Sequence, residues 1–332
     1  MSVSRATLGE CTIIDLELRN ALARLSGKSI LITGAGGMLG RAFCEALTEI
    51  SGVRIVAKNH AELDVTNRKS VLEQAKLAPD IIVHCAADVN ADRCEASPDQ
   101  CHRVQVDGTR NIADLATTAG AQVLYPQSFL IFDGRELPIL ESTKPAPLSV
   151  YGRCKYEAEQ VLRAELTGAL VIRMAGFFGG DEKDKNFVGK FVRHLFDMIR
   201  NGTKTYEVGD RVWQPTYTLD LATNCLALLA ADKQGIYTMS CHGQASFFEL
   251  AVACVEELDL ISYMTIRSTT EAAVAANEKA PRPSLGIMEN RRLMADGLDL
   301  QRPWRVALKE YLRRPYFQKM KNNLLGVTRN AS

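Results

Sequence analysis

The sequence lacks a charge excess, a long apolar run and any paired cysteine motif, and each absence removes a class of protein. Forty Lys and Arg residues face thirty-nine Asp and Glu, a formal charge of +1. No global field would draw such a chain to nucleic acid or to an anionic membrane, so neither is expected as a partner. The apolar stretches fall short of the roughly 20 residues that cross a bilayer, and the first residues mix acids with hydrophobes, unlike a signal peptide. The nine cysteines are odd in number and scattered. None forms a CxxC pair, which fits free thiols in a reducing compartment better than a disulfide framework, and a cytoplasmic location is expected. The five histidines and the acids show no ligand spacing, so no metal is expected.

What is present is core. A chain of 332 residues at 46% hydrophobic content buries enough surface for one large domain or two lobes. From Lys28 short apolar runs alternate with helical stretches: Ser29 to Thr33, Val53 to Ala57, Ile81 to Cys85, Gln122 to Tyr125 and Ala169 to Met174. Such runs suit strands buried on both faces, and the intervening segments Arg41 to Ile50 and Val106 to Ala119 have helical length. The order reads as βα units, an α/β fold with a doubly wound parallel sheet. After Gly180 helices are expected from about Asn186 to Arg200 and from Asp220 to Ala231, with another opened by a Ser246 and Glu249 capping box. The division that follows is a dinucleotide-binding domain over 28–177, with 215–240 packed on it, and a smaller substrate-binding lobe from 178–214 and 241–332. Residues 1–27 form an extension whose Ile14, Leu18, Ala21, Leu22 and Leu25 share a helical stripe. A helix packed on the body is expected there; a docking helix for a partner is the alternative.

Gly34-Ala35-Gly36-Gly37-Met38-Leu39-Gly40 falls between the first apolar strand and a helix. Glycines allow positive φ and remove side chains where backbone meets a pyrophosphate, and the helix N-terminus faces the anion. The spacing Gly34-x-x-Gly37-x-x-Gly40 after Thr33 resembles the turn of the extended short-chain dehydrogenases. At the end of the second strand, where an acid would hold the adenosine ribose, the sequence reads Lys58-Asn59-His60. Lys58 and Arg41 are candidates for a 2′-phosphate, so NADP(H) is the expected cofactor. Cys85-Ala86-Ala87 ends the third strand with small residues that let a cofactor lie close.

Tyr151 and Lys155 stand four apart, on one face of a helix if the segment is helical. Hydride arriving at a carbonyl carbon leaves charge on oxygen, which a positioned acid must neutralise. Tyr151 is assigned as that proton donor, Ser128 as hydrogen-bond partner of the same oxygen, and Lys155 as electrostatic tuner and anchor of the nicotinamide ribose. A free phenol titrates near pH 10, and a neighbouring ammonium favours the phenolate.

These residues are similar to those of the dTDP-4-dehydrorhamnose reductase family, within the extended short-chain dehydrogenases. The resemblance runs nearly the whole chain, through Leu31 to Gly40, Glu62-Leu63-Asp64-Val65-Thr66, His84 to Ala87, Phe132-Asp133-Gly134, Pro147 to Gly152, Asn186-Phe187-Val188 and Ala280-Pro281-Arg282-Pro283-Ser284. It implies a Rossmann fold, Asp64 and Val65 against the adenine, and reduction of the 4-keto group of a nucleotide-linked 6-deoxysugar held by Asn186, Gln214 and Arg282. A homodimer is admitted. Several positions depart from the family pattern. Gln127-Ser128-Phe129-Leu130 replaces Ser-Thr or Ser-Ser followed by Asp, Gln105 stands where asparagine is usual, and Gly176 stands where an aromatic helps seat the substrate. Two other readings share the fold: a sugar-nucleotide epimerase, and a cofactor-holding regulator that resembles the regulatory subunit of methionine adenosyltransferase.

Overall fold

The computed structural model describes residues 11–270, 279–283 and 285–326, with side chains from residue 17 onward. The side chain of Ile14, residues 1–10, 327–332 and Ser284 of the Ala280 to Ser284 motif lie outside the described residues.

The apolar runs become a six-stranded sheet: β1 (Ser29–Thr33), β2 (Arg54–Lys58), β3 (Ile81–His84), β4 (Gln122–Ser128), β5 (Leu170–Met174) and β6 (Gly235–Met239). Their order is β6-β5-β4-β3-β1-β2, and every pairing is parallel. Alternation explains why the runs are continuous rather than mixed. Ile30 and Ile32 face one apolar cluster while Leu31 faces another, and Leu170 and Ile172 divide from Val171 in the same way. A strand covered by helices on both sides needs apolar residues at every position. Edge strand β2 is only partly buried.

Helices α1 (Met38–Thr48), α2 (Gly108–Ala119) and α3 (Val150–Glu165) connect these strands. On one face α1 buries Phe43 and Leu47 against Leu226, Leu228 and Leu229 of a later helix, Thr218–Ala230. On the other face α2 and α3 bury Ile112, Leu115, Ala158 and Leu162. Each large apolar side chain so buried contributes about 1.5–3 kcal/mol. This is a Rossmann-type doubly wound sheet. The N-terminal helix Cys11–Leu22 lays Leu18, Leu22 and the following Leu25 onto the first cluster.

A separate cluster gathers Val188, Phe191, Val192, Leu195 and Phe196 of the helix Phe187–Arg200 with Leu250 and Cys254 of Phe247–Glu257 and Ala307, Leu308 and Tyr311 of Trp304–Leu312. The expected capping box is present: the Glu249 backbone N–H donates to Ser246 Oγ at 3.1 Å, and the Ser246 N–H donates to Glu249 Oε2 at 2.7 Å. No helix among the described residues is long and apolar enough to cross a membrane.

Candidate active site

The glycine turn lies between β1 and α1 and is shaped by close approach. Gly34 has φ +65°, and a Cβ there would stand 2.6 Å from the Ala86 nitrogen. At Gly40 a Cβ would stand 2.5 Å from the Gly34 carbonyl oxygen and 2.8 Å from the Ala35 Cα. Both contacts are with backbone, so neither position accepts a side chain. Gly37 is different: it is exposed, extended at φ −80°, and caps α1 without any side-chain bond. The first N–H groups of an α-helix lack intrahelical acceptors, and here they follow a turn whose one side chain is the buried Ala35 methyl. The residues therefore fit the pyrophosphate of a dinucleotide, with Gly34, Gly37, Met38, Leu39 and Gly40 as the cradle. Below the turn, Thr33 Oγ1 lies 2.8 Å from His84 Nδ1, and His84 Nε2 lies 3.3 Å from Thr109 Oγ1. Burial, with Lys155 nearby, pushes His84 down to about 3, so it is a neutral structural bridge.

The structure sets Ser128 beside Tyr151, while Lys155, one turn along α3, reaches back to β4 at Pro126. Ser128 ends β4, while Ser149 caps α3 by accepting from the Gly152 N–H at 3.1 Å. Gly152 is required because the Leu130 carbonyl lies where its Cβ would be. Tyr151 is 8% exposed, and burial pushes its phenol up while the neighbouring Ser128 side chain opposes that. The Lys155 ammonium donates to the Pro126 carbonyl at 2.9 Å and lies 4.0 Å from the centre of the Tyr125 ring. Burial draws it down to about 7, and the nearby Glu159 carboxylate works in the opposite direction. The largest influence favouring the Tyr151 phenolate in this protein comes from Ser128.

Sequence reasoning missed what supports this trio. Gln127 is buried, accepts from the Ser128 N–H at 2.8 Å, and donates to the Lys155 carbonyl at 2.9 Å and to Glu159 Oε2 at 3.0 Å. Glu159 is paired with Arg173 of β5, whose Nη2 lies 2.6 Å from Glu159 Oε1. Glu159 is fully buried and Arg173 nearly so. A signal existed in the departure at Gln127, but its partners are 28, 32 and, for the Glu159–Arg173 pair, 14 residues apart in sequence.

Around the adenosine end, the structure separates the two expected bases. Arg41 reaches across to Glu182, with Nη1 2.5 Å from Oε1. Lys58, half-buried at the end of β2, meets no carboxylate among the described residues. Asp64 accepts from the Thr66 N–H at 2.9 Å and the Thr66 hydroxyl at 2.8 Å. The buried Val65 side chain packs so closely that a Cβ on Gly108 would stand 2.8 Å from it. Cys85, Ala86 and Ala87 line the end of β3 and are partly exposed.

Of the expected substrate contacts, Asn186 donates to the Phe177 carbonyl at 2.8 Å, tying down the segment after β5. Gln214 is buried and both ends of its amide hold the Met288 backbone, at 3.1 and 2.7 Å. Arg282 donates to the Ala280 carbonyl and lies 3.4 Å from Asp92. The space beside Gly176 is filled: a Cβ there would stand 2.6 Å from the Trp213 ring and 3.8 Å from Phe129. A Cβ on Gly286 would stand 2.6 Å from the other part of the Phe129 ring. Trp213 and Phe129 therefore line the space around Gly176, and the buried Trp213 indole N–H has no hydrogen-bond partner among the described residues.

Comparison with known proteins agrees with this architecture. The family described as RmlD substrate binding domain matches residues 28–317. The spore coat polysaccharide biosynthesis protein SpsK of Bacillus subtilis is 29% identical, over 85% of this chain and 96% of that protein. Methionine adenosyltransferase 2 subunit beta of Xenopus laevis is 31% identical, over 85% of this chain and 86% of its own length. Among solved structures, a dTDP-4-dehydrorhamnose reductase of Clostridium acetobutylicum superposes with TM-score 0.78 at 29% identity, covering 86% of this chain and 98% of that one. The dTDP-4-dehydrorhamnose reductase of Bacillus anthracis, solved in complex with NADP, gives TM-score 0.77 at 25% identity, covering 87% and 99%.

Proposed function

The chain belongs to the RmlD substrate binding domain family, that of the dTDP-4-dehydrorhamnose reductases, and we propose that it is an NADPH-dependent reductase of the 4-keto group of a nucleotide-linked 6-deoxysugar. The observation that carries this reading is the placement of Ser128 at the end of β4 beside the buried Tyr151, whose phenol the Ser128 side chain draws down against the effect of burial, with Lys155 one helical turn beyond on α3.

NADPH supplies the hydride when bound, and the remaining work belongs to this chain. Gly34, Gly37, Met38, Leu39 and Gly40 hold the pyrophosphate, Lys58 and Arg41 meet the 2′-phosphate, and Asp64, Val65 and the Cys85 to Ala87 segment border the adenosine. Lys155 holds the nicotinamide ribose. Ser128 orients the substrate carbonyl oxygen by a hydrogen bond, and Tyr151 gives its hydroxyl proton to that oxygen as charge develops there. Burial keeps Tyr151 protonated until that moment. Asn186, Gln214 and Arg282 lie in the region assigned to the sugar nucleotide, which pairs with the second lobe.

The test is absorbance of NADPH on mixing purified protein with a dTDP-4-keto-6-deoxysugar. Consumption is expected, and Tyr151→Phe should lower turnover by about 10²–10⁴-fold, the usual scale for a general acid, while NADPH binding is spared. A near-normal Tyr151→Phe enzyme would remove Tyr151 from its role. A second reading, an NADP-binding regulatory subunit, is supported by the similarity to methionine adenosyltransferase 2 subunit beta. It predicts tight NADPH binding with no consumption across a panel of keto-sugars. An epimerase of the same fold predicts conversion of sugar without net consumption.

A further inference from the structure

One short helix, Ala91–Ala96, ties the start of α3 to the segment that carries Arg282. Residues three apart share a helix face, and two such pairs separate here. Ala91 and Cys94 are buried in the apolar cluster that also contains Tyr151 and Ala280. Asp92 and Glu95, one position round, reach two other segments. Glu95 Oε1 accepts the Val150 N–H at 2.6 Å, and Asp92 Oδ1 accepts the Ala280 N–H at 2.9 Å. The helix is itself held in place. Asn90 accepts from the Arg93 N–H at 3.0 Å, the Arg93 guanidinium meets Asp88 at 2.6 and 2.9 Å, and Gln105 donates to the Asp88 carbonyl at 2.7 Å.

Each contact bears on a group the reaction needs. Val150 opens α3, and the first N–H groups of a helix have no intrahelical acceptors. Ser149 takes the Gly152 N–H and Glu95 takes that of Val150, so Tyr151 lies between two anchored peptides. A carboxylate at a helix N-terminus is favoured by the dipole, and its bond to a backbone N–H is stronger than a neutral one. Asp92 holds its segment at two points, since it also lies 3.4 Å from the Arg282 guanidinium. Ala280 is 1% exposed and so fixed in the cluster, whereas the Arg282 side chain is 23% exposed and can still meet a ligand.

We propose that Glu95 is a positioning residue for Tyr151 and that Asp92, on the same helix, sets the 280–283 segment against it. The helix Ala91–Ala96 then fixes the separation between the proton donor and the arm that meets the sugar nucleotide. This rests on the reductase reading, in which Tyr151 gives the proton and Arg282 contacts the substrate. Neither carboxylate acts on the reacting atoms in that reading; both act through the backbone they hold. Their losses therefore differ. Without Glu95 the first turn of α3 is released and the phenol shifts, and a misplacement of about 1 Å can cost about 10²-fold in rate. Without Asp92 the substrate arm is released, and the loss falls on binding.

The experiment measures NADPH consumption with a dTDP-4-keto-6-deoxysugar for the full chain and for Glu95→Ala, Glu95→Gln and Asp92→Ala. Amide hydrogen exchange over residues 150–154 is followed by mass spectrometry in each. Glu95→Ala should lower kcat by about tenfold or more, with KM for NADPH within about twofold, and should speed exchange over 150–154. Glu95→Gln, whose amide oxygen still accepts the Val150 N–H, should recover most of both. Asp92→Ala should raise KM for the keto-sugar more than it lowers kcat. Unchanged kcat in Glu95→Ala overturns the proposal, and so does an equal loss of kcat and KM in all three variants with no rescue by Gln, the mark of a merely structural contact. Should Glu95→Ala fail to fold, Glu95→Asp, which withdraws the oxygen by one methylene, is read by the same criteria. A wild-type chain that consumes no NADPH counts against the reductase reading, and exchange then decides the brace. Faster exchange over 150–154 in Glu95→Ala, restored in Glu95→Gln, upholds it; unchanged exchange overturns it.

Discussion

The Gln127 side-chain amide donates to the Lys155 carbonyl at 2.9 Å, so one buried residue joins the strand ending in Ser128 to the helix carrying Tyr151 and Lys155. Its second N–H bond goes to Glu159, whose charge is compensated by Arg173. Removing one partner of a buried pair leaves an uncompensated charge, at a cost of about 3–5 kcal/mol. Arg173→Met should therefore lose about that much stability in chemical denaturation, and Gln127→Met, which strands hydrogen-bonding groups, about 1–3 kcal/mol. The double variant Arg173→Met with Glu159→Leu should recover much of the loss. A cost under about 1 kcal/mol for Arg173→Met would show that water or a neighbour replaces it.

The sheet was legible because strands buried on both faces leave continuous apolar runs, and five of its six strands appear in the sequence within a few residues of their ends. Strand β4 runs on to Ser128 because Pro126, Gln127 and Ser128 keep pairing with Ile172, Arg173 and Met174. No propensity argument favours a strand at Pro126-Gln127-Ser128. Strand β6 was not separable from its surroundings, since Gly235 and a half-exposed start weaken its pattern. Local spacing identified Tyr151 and Lys155, because a helix turns i and i+4 to one face. The Gln127 network and the packing of Trp213 at Gly176 depend on contacts between distant segments, for which a single sequence carries no periodicity.

Arg41 and Lys58 are not equivalent in the structure, and the difference predicts unequal roles in cofactor choice. Arg41 is already held by Glu182, whose carboxyl is kept low by that hydrogen bond. Lys58 has no such competitor among the described residues. Lys58→Ala should weaken NADPH binding by about tenfold, or 1.4 kcal/mol, and leave NADH nearly unchanged. Arg41→Ala should cost less, because Arg41 must give up its Glu182 partner to reach the phosphate and so contributes less to binding. Fluorescence titration with both cofactors decides it; an equal loss for NADH and NADPH would place Lys58 away from the 2′-phosphate.

His84 predicts how the fold responds to acid. Its folded value of about 3 lies below the ordinary 6.5. Above pH 6.5 both folded and unfolded chains hold it neutral. As pH falls from 6.5 toward 3 the unfolded chain takes up the proton and the folded chain does not, so stability drops by up to about 1.4 kcal/mol per pH unit from this group. Its immediate neighbours are the Thr33 and Thr109 hydroxyls and, as a like charge, Lys155. His84→Asn should flatten the decline measured by denaturant titration between pH 7 and 5. An identical decline in the variant would assign it to other groups.

Gly176 and Trp213 form a steric exchange that a double-variant cycle can read. The indole occupies the position a side chain at 176 would take, so Gly176→Ala alone should force the ring out of place. Overpacking of this kind costs about 1–3 kcal/mol. Trp213→Ala alone should also destabilise, because it opens a gap beside Phe129 and Phe247, the latter 5.4 Å from the indole centre. Combined, the two changes should cost less than their sum by about 0.5–3 kcal/mol, since the added methyl enters the space the ring has left. If the sugar packs on this wall, the same variants would raise KM for the keto-sugar more than for NADPH, as expected when a residue contributes binding rather than proton transfer. Additive stabilities would mean that Trp213 can move aside freely, and it could not then serve as a fixed wall for the substrate.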